Sequence, residues 1–212
     1  MSYTLSPKGS VARVSAIVLA AGTSTRMGQA KQLLPLGPSN VLAQTLENVR
    51  SASIAEIVLV LGSSAQAICQ QLPPPLLEGL KVVVNHDYMQ GMASSLRQGL
   101  SALDQHDKHS DAALIVLGDQ PFVRPQTLDQ IVDAYRRSPA QIVIPLYQGT
   151  RGNPVLLDRS VFAEVAALEG DIGCRAIFAK HLEGIVNVEV EDMGVLLDID
   201  DQQDYDRLKL RG

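Results

Sequence analysis

Short, nearly continuous apolar runs alternate with helix-patterned segments along most of this chain, and that alternation narrows the possible folds more than any other feature. Val14 to Leu19, Glu56 to Leu61, Val82 to Asn85, Ala112 to Leu117 and Ile142 to Pro145 read as strands. Their apolar residues run on instead of alternating, as in strands covered on both faces. Between them, Leu42, Leu46 and Val49 share one helical face behind the candidate caps Ser39 and Asn40. Leu96, Leu100 and Leu103 make a second stripe; Leu128, Ile131, Val132 and Tyr135 make a third, entered through Pro125 at a first helical position. This order predicts an α/β fold, a Rossmann-like three-layer α/β/α domain around a mostly parallel sheet.

After Pro145 the rhythm changes. Val155 to Leu157 reads as a strand, and Val161, Phe162, Val165 and Leu168 as a helix capped by Ser160. Gly170-Asp171 opens another helix over about Ile172 to Ala179, before a strand at Ile185 to Val190 and a last helix near Tyr205 and Leu208. Leu72 to Leu76, with three prolines, reads as a short stiff loop, and residues 1–13 as a flexible tail. Residues 14–212 read as a single domain, the expectation for a chain of 212 residues.

Charge and cysteine usage remove several function classes. A net charge of −5 argues against a general nucleic-acid binder, so an anionic ligand must be held by local cations. Cys69 and Cys174 form no CxxC pair, which argues against structural zinc and a disulfide framework. Free thiols without a signal peptide point to the reducing cytoplasm. No apolar run approaches the ~18 residues of a membrane span, so no membrane partner is expected.

In open α/β sheets, ligands bind beyond the carboxyl ends of the strands. Three polar, small-residue loops fall there: 20–28, 91–95 and 118–121. The first belongs to LAAGTSTRMGQAKQLLPL, Leu19 to Leu36. Small residues let backbone N–H groups approach an anion, while Arg26 and Lys31 add cations suited to phosphate. The loop is not a P-loop: Met27 stands where the second glycine belongs, and Gln32 follows Lys31. Nor is it the dinucleotide fingerprint, because Ser24 replaces the second glycine. It reads as a polyphosphate cradle or, more plainly, as a strand-to-loop turn with surface cations.

Carboxylates stand at two further places. Asp119, in LGDQP after the apolar run AALIVL, reads as a magnesium ligand beside bound phosphates or as a turn residue before proline. Asp198 and Asp200 share one side of an extended segment, and could join that metal site; Asp200 or Asp201 could instead cap the final helix. A helix starting near Met92 would aim free N–H groups at the site, with Ser94 and Ser95 as sugar or base contacts or ordinary caps.

Taken together, LAAGTSTRMGQAKQLLPL, NHDYMQGMASSLRQGL, LGDQP, RGNPVLL, GDIGCR and the terminal DID resemble the molybdenum cofactor nucleotidyltransferases, in that family's order and most like its cytidylyltransferase branch. The resemblance spans Val14 to Leu208. It implies magnesium-dependent transfer of CMP from CTP to the terminal phosphate of molybdopterin, with release of pyrophosphate and eventual delivery to a molybdenum hydroxylase. It divides the chain into a nucleotide-binding half, about 14–121, and an acceptor-binding half, about 122–212. By match, Leu19, Ala20, Ala21, Gly22, Thr23, Ser24, Gly62, Asn85, Gly91, Ser94 and Ser95 hold the nucleotide. Arg26 and Lys31 sit on its phosphates, and Asp119, with Asp198 and Asp200, binds Mg2+. Arg151, Asn153, Asp171 and Arg175 face the acceptor. Ala21, where the guanylyltransferase branch has glycine, narrows the pocket toward cytosine. Two departures stand out: Asn153 replaces a frequent histidine, and Asp201-Gln202 replaces a frequent Thr-Pro. Competing expectations are another small-molecule nucleotidyltransferase, using GTP or acting on sugar or isoprenoid phosphates, and a non-catalytic chaperone that delivers nucleotide or cofactor.

Overall fold

The computed structural model describes residues 12–22, 30–104 and 109–211. Strand β1 (Val14–Ala20) leads to a 3₁₀ turn at Lys31–Leu33 and a small hairpin, β2 (Pro35–Leu36) and β3 (Ser39–Asn40). Helix α1 (Val41–Arg50), β4 (Ile57–Leu61), α2 (Ala65–Gln71), α3 (Pro74–Leu77), β5 (Leu80–Val84), α4 (Met92–Asp104), β6 (Ala112–Leu117) and α5 (Pro125–Arg137) follow. The second half adds β7 (Ile142–Tyr147), β8 (Thr150–Arg151), β9 (Val155–Asp158), α6 (Phe162–Ala166), a 3₁₀ stretch at Cys174–Lys180, β10 (Ile185–Glu189) and α7 (Gln202–Leu208).

Apart from the β2–β3 hairpin, the strands form one sheet in the order β10-β7-β9-β6-β1-β4-β5, with β8 paired to β7. Pairings β1–β4, β1–β6, β4–β5 and β10–β7 are parallel, while β9 runs antiparallel to both β6 and β7. The sheet is therefore mostly parallel, as the βαβ alternation predicts. Its order reverses at β1, because the chain moves outward through β4 and β5 and then returns to place β6 on the other side. At such a reversal the flanking loops part and leave a crevice beyond the strand ends. The register brings Ala20 beside Leu61 and Leu19 beside Leu117, so the ends of β1, β4 and β6 lie level.

Each face of the sheet has its own helical layer. Ala16, Val18 and Ala20 of β1 pack with Leu42 and Leu46 of α1, Ile68 of α2 and Leu128, Ile131 and Val132 of α5. Ile17 faces the other way, toward Leu96, Leu100 and Leu103 of α4 and Phe162 and Val165 of α6. All three helical stripes expected from the sequence are thus buried. Asn40 caps α1, its side chain accepting the Ala43 N–H at 2.9 Å, and Pro125 opens α5. The edge strand β5 is less covered than expected, leaving Val82 and Val84 38% and 41% exposed, since among the described residues no further strand pairs beyond it.

Several local expectations are corrected. Ala12 and Arg13, assigned to a loose tail, are packed: Ala12 is buried, and the Arg13 N–H donates to Asp111 Oδ2 at 2.7 Å. The proline-rich loop contains the single turn α3, its first proline inside the helix replacing an N–H that needs no partner. The helix expected to be capped by Ser160 begins at Phe162, and Asp158 caps the preceding turn by accepting the Ser160 N–H at 3.0 Å. The helix expected after Gly170-Asp171 is instead the 3₁₀ stretch from Cys174.

A third, smaller apolar cluster joins the β2–β3 hairpin and the start of α1 to the C-terminal segment. Leu34, Leu36 and Val41 meet Ile199 and Leu208 there, and the Tyr205 hydroxyl donates to the Pro35 carbonyl at 2.7 Å. Ile199 is fully buried in it. Replacing Ile199 with Ala should lower stability by about 2–5 kcal/mol in chemical denaturation; a loss within 0.5 kcal/mol would mean this cluster does not anchor the C-terminal segment. Gly118 marks the close approach of β6 to β1: a Cβ there would lie 2.9 Å from Ala20 Cβ, 3.0 Å from the Leu19 carbonyl oxygen and 3.2 Å from Leu42 Cδ1. Gly118→Ala should therefore cost about 1–3 kcal/mol with little change in the denaturant slope, and an unaltered midpoint would contradict that packing.

Candidate active site

The crevice at the strand-order reversal is a cleft of about 680 Å³, within the range of small-molecule sites. Its lining includes Leu19, Ala20, Ala21 and Gly22 after β1, Lys31 and Gln32 from the following turn, and Leu117 and Asp119 after β6. Tyr88, Met89, Gly91, Met92 and Ser95 form the α4 side, and Asp171, Asp198 and Asp200 enter from the second half. The described parts of the three strand-end loops, residues 20–22, 91–95 and 118–121, all contribute to this cleft. Thr23, Ser24 and Arg26 lie outside the described residues.

The acidic residues are placed by backbone and apolar anchors. The Gly118 N–H donates to the Leu19 carbonyl at 2.9 Å, and Asn48 Nδ2 of α1 donates to the Pro121 carbonyl at 2.9 Å. This fixes the turn carrying Asp119. The Ile199 N–H donates to the Asp119 carbonyl at 3.1 Å while its side chain is sunk in the third cluster. Period-two geometry then turns Asp198 and Asp200 away from that cluster, and both line the cleft. Asp201 caps α7, accepting the N–H groups of Gln203 and Asp204 at 2.9 Å each. The two sequence alternatives for this acidic run are therefore divided between neighbouring residues.

Lys31 lies between the two acidic segments. Its Nζ is 2.5 Å from Asp119 Oδ2 and 3.0 Å from Asp200 Oδ1. Burial opposes the ammonium charge, but Asp119 and Asp200 outweigh it and hold the Lys31 pKa above its ordinary value. Asp198 shows the converse: burial, then the negative charges of Asp200 and Asp119, raise its carboxyl above the ordinary range. Asp119 Oδ1 is buried and without a hydrogen-bond partner among the described residues. Such an oxygen beside crowded carboxylates fits a hard cation. Among the described residues no three His, Cys, Asp or Glu side chains converge closely enough to hold a metal alone. The donor set therefore suits an ion that completes its shell with water and phosphate, as magnesium does.

The β5–α4 corner departs from expectation. Asn85 is fully buried; its Nδ2 donates to Ser94 Oγ at 2.8 Å and Ser95 Oγ at 3.0 Å, and its Oδ1 accepts the Asp87 N–H at 2.9 Å. Asn85 and Ser94 thus brace the corner, and Ser95 alone of the three reaches the cleft. The α4 N-terminus is not an open anion site. Asp171 Oδ1 accepts the Met92 N–H at 3.2 Å, the Gly170 carbonyl accepts that of Ala93 at 3.2 Å, and the Gly91 carbonyl accepts that of Ser94 at 3.2 Å. Gly91 has φ +96°, and a Cβ on it would lie 2.5 Å from the Asp171 nitrogen, so glycine is required where this loop docks.

Other expected positions also move. Gly62 does not line the cleft; it backs the first loop, with its missing Cβ directed at the Ala21 carbonyl group. Arg151 places its guanidinium 5.9 Å from the Phe178 ring centre, and Asn153 donates its backbone N–H to the Val195 carbonyl at 2.9 Å. Arg175 is exposed, and none of these three lines the cleft. Beyond the expected positions, Gln32, Tyr88, Met89, Met92 and Leu117 also line the cleft. Gln32 is buried and its Nε2 donates to the Ala20 carbonyl at 3.3 Å, and Ile199 supports the site from the apolar cluster outside it. Burial pushes the Cys174 thiol up to about 12, which removes it as a nucleophile near neutral pH.

Comparison with known proteins follows the same lines. Residues 16–185 match the model of the MobA-like NTP transferase domain. The chain is 31% identical over 205 residues to the nicotine blue oxidoreductase of Paenarthrobacter nicotinovorans, covering 92% of this chain and 96% of that one. It is 24% identical over 198 residues to the molybdenum cofactor cytidylyltransferase of Escherichia coli strain K12, covering 93% and 96%. Among solved structures, Rv0371c from Mycobacterium tuberculosis H37Rv aligns with a TM-score of 0.83 at 35% identity, covering 94% of this chain and 98% of that one. The manganese complex of Rv0371c aligns at 0.79 with 33% identity, covering 94% and 100%. With a matched model over most of its length and the same sheet and helices, the chain belongs to the MobA-like NTP transferase family.

Proposed function

We propose that the protein transfers CMP from CTP to the terminal phosphate of molybdopterin and releases pyrophosphate. The observation that carries this reading is the convergence of Lys31, Asp119, Asp198 and Asp200 with the small-residue loop after β1 in one cleft. A nucleotidyl transfer needs positioning and charge stabilisation more than covalent catalysis, and this cleft offers those and no activated nucleophile among its described residues. The acceptor phosphate oxygen attacks the α-phosphorus in line, one P–O bond forms, and the bond to the bridging oxygen breaks as pyrophosphate leaves. The attacking phosphate is already ionised near neutral pH, so no general base is required.

Ala20, Ala21 and Gly22 bring backbone close to the nucleotide, and the buried Ala21 methyl limits the room for a base. Lys31 holds phosphate charge, and Arg26 is assigned to the departing pyrophosphate. Asp119 and Asp200, with Asp198 beside them in the cleft, would hold magnesium together with water and phosphate oxygens, and the ion would supply charge neutralisation at the phosphates. Met92 and Ser95 form the wall facing the nucleotide, with Asn85 and Asp171 positioning them. Arg151, Asn153 and Arg175 remain assigned to the acceptor half. The cytidylyltransferase name of the Escherichia coli relative supports the nucleotide and acceptor. The name of the Paenarthrobacter relative supports a second reading, a redox reaction in the same cleft, under which no triphosphate would yield pyrophosphate.

Two measurements test the reading. Pyrophosphate release from CTP and molybdopterin should fall about 10²- to 10³-fold in Asp119→Asn, with a much smaller loss of CTP affinity; wild-type turnover in that variant would remove Asp119 from the chemistry. In a thermal-shift panel with magnesium, CTP at a hundred times its Kd should raise Tm by roughly 5–10 °C. It should exceed GTP, ATP and UTP at equal concentration, and a larger shift with GTP would reverse the base assignment.

A further inference from the structure

We infer that Lys31 is a built-in surrogate for the divalent cation: its ammonium holds Asp119 and Asp200 together until a metal ion replaces it, and only then does it engage the triphosphate. The inference rests on the nucleotidyltransferase reading and adds an order of events to it.

The geometry is that of a cation between ligands. Nζ lies 2.5 Å and 3.0 Å from oxygens of two acidic segments that meet only through the fold, and the Lys31 and Asp119 side chains are 14% and 17% exposed. An ammonium is a compact, strongly hydrated charge with three donors, so it favours the same carboxylate oxygens as a hard metal ion. The match is incomplete. Among the described residues, three carboxylates and one ammonium meet in this part of the cleft, leaving two negative charges among these four side chains. Asp119 Oδ1 is also left without a partner among the described residues. A divalent ion supplies the missing charge and a ligand for that oxygen.

The exchange needs no backbone movement. Gln32, buried beside Lys31, ties the turn to the Ala20 carbonyl, while the four-carbon lysine stem can rotate. Once carboxylates ligate metal, the ammonium gives up Asp119 and Asp200, and phosphates in the same cleft can take their place. A bare triphosphate, by contrast, would have to draw Lys31 away and leave unpaired carboxylates beside its own negative charge. Metal and triphosphate therefore favour each other's binding through Lys31, and the site selects the metal complex over free nucleotide.

The test is a Mn2+ titration of wild type and Lys31→Met, followed calorimetrically and by the electron-spin signal of free Mn2+. Without nucleotide, the variant should bind Mn2+ at least fivefold more tightly, because no ammonium competes. CTP should raise Mn2+ affinity in wild type by about 5- to 150-fold, and that enhancement should shrink by at least fivefold in the variant. Equal or weaker Mn2+ binding by Lys31→Met would overturn the inference. The wild-type protein gives a second readout should the variant not fold: Mn2+ alone should speed acetylation of Lys31, read by mass spectrometry, and CTP with Mn2+ should slow it. Acetylation unchanged by Mn2+ also overturns the exchange. If wild type binds no triphosphate, the proposed function fails, while the nucleotide-free comparison still decides whether Lys31 and metal compete.

Discussion

The reversal of strand order at β1 is the constraint on which the rest of this molecule depends. Because β4 and β6 flank β1 in parallel, three strands end level and send their loops outward from one line. A helix on one face and a helix on the other then carry the chain apart, and the space between cannot be filled by either layer. Backbone must come close at this line for the crevice to have walls. Gly118 and Gly62 permit that contact, one against Ala20 and Leu19 and the other against Ala21. The site is thus a consequence of sheet topology, with chemistry added by the residues that terminate the strands.

Charge would not gather there unaided. Three carboxylates in a half-buried cleft are costly to keep charged: burial first, and then the charges of Asp200 and Asp119, raise the Asp198 carboxyl above its ordinary range, and apolar contacts elsewhere hold the three in place. Ile199 does this from between two of them. Its burial against Leu34, Leu36, Val41 and Leu208 gains roughly 1.5–3 kcal/mol. The same cluster packs the segment that carries Lys31, so one apolar contact sets both the acids and the cation that bridges them. Stability and site geometry are linked here through a residue that touches no ligand.

Much of this was legible in the sequence because its signals are local. Continuous apolar runs mark strands buried on both faces, and β1 and β6 fall within a residue of their expected bounds. The stripes of α1, α4 and α5 are buried as their spacing requires. Strand direction is not a local signal, so nothing in Val155 to Leu157 announced that β9 runs against its neighbours. Nor could spacing distinguish a polar residue at a ligand from one satisfying its neighbours. Asn85 looks like a nucleotide contact at a strand end, yet its burial obliges it to spend its amide on Ser94, Ser95 and Asp87. Gln32 and Ile199 were passed over for the opposite reason, since each reads as ordinary filling until the fold brings its partner near.

The fold alone does not decide the reaction, because one architecture hosts unrelated chemistries. The relatives themselves carry names from two enzyme classes, at 31% and 24% identity over nearly the whole chain. What separates the classes is the electrostatics of the cleft. Redox chemistry on an organic substrate gives no reason to set two carboxylates on an ammonium with a third beside them in the cleft. Transfer of a nucleotidyl group does, since a divalent ion must be gathered beside phosphates and released with the product. The acidic wall, more than the small-residue loop after β1, is therefore the feature that ties this chain to phosphate chemistry.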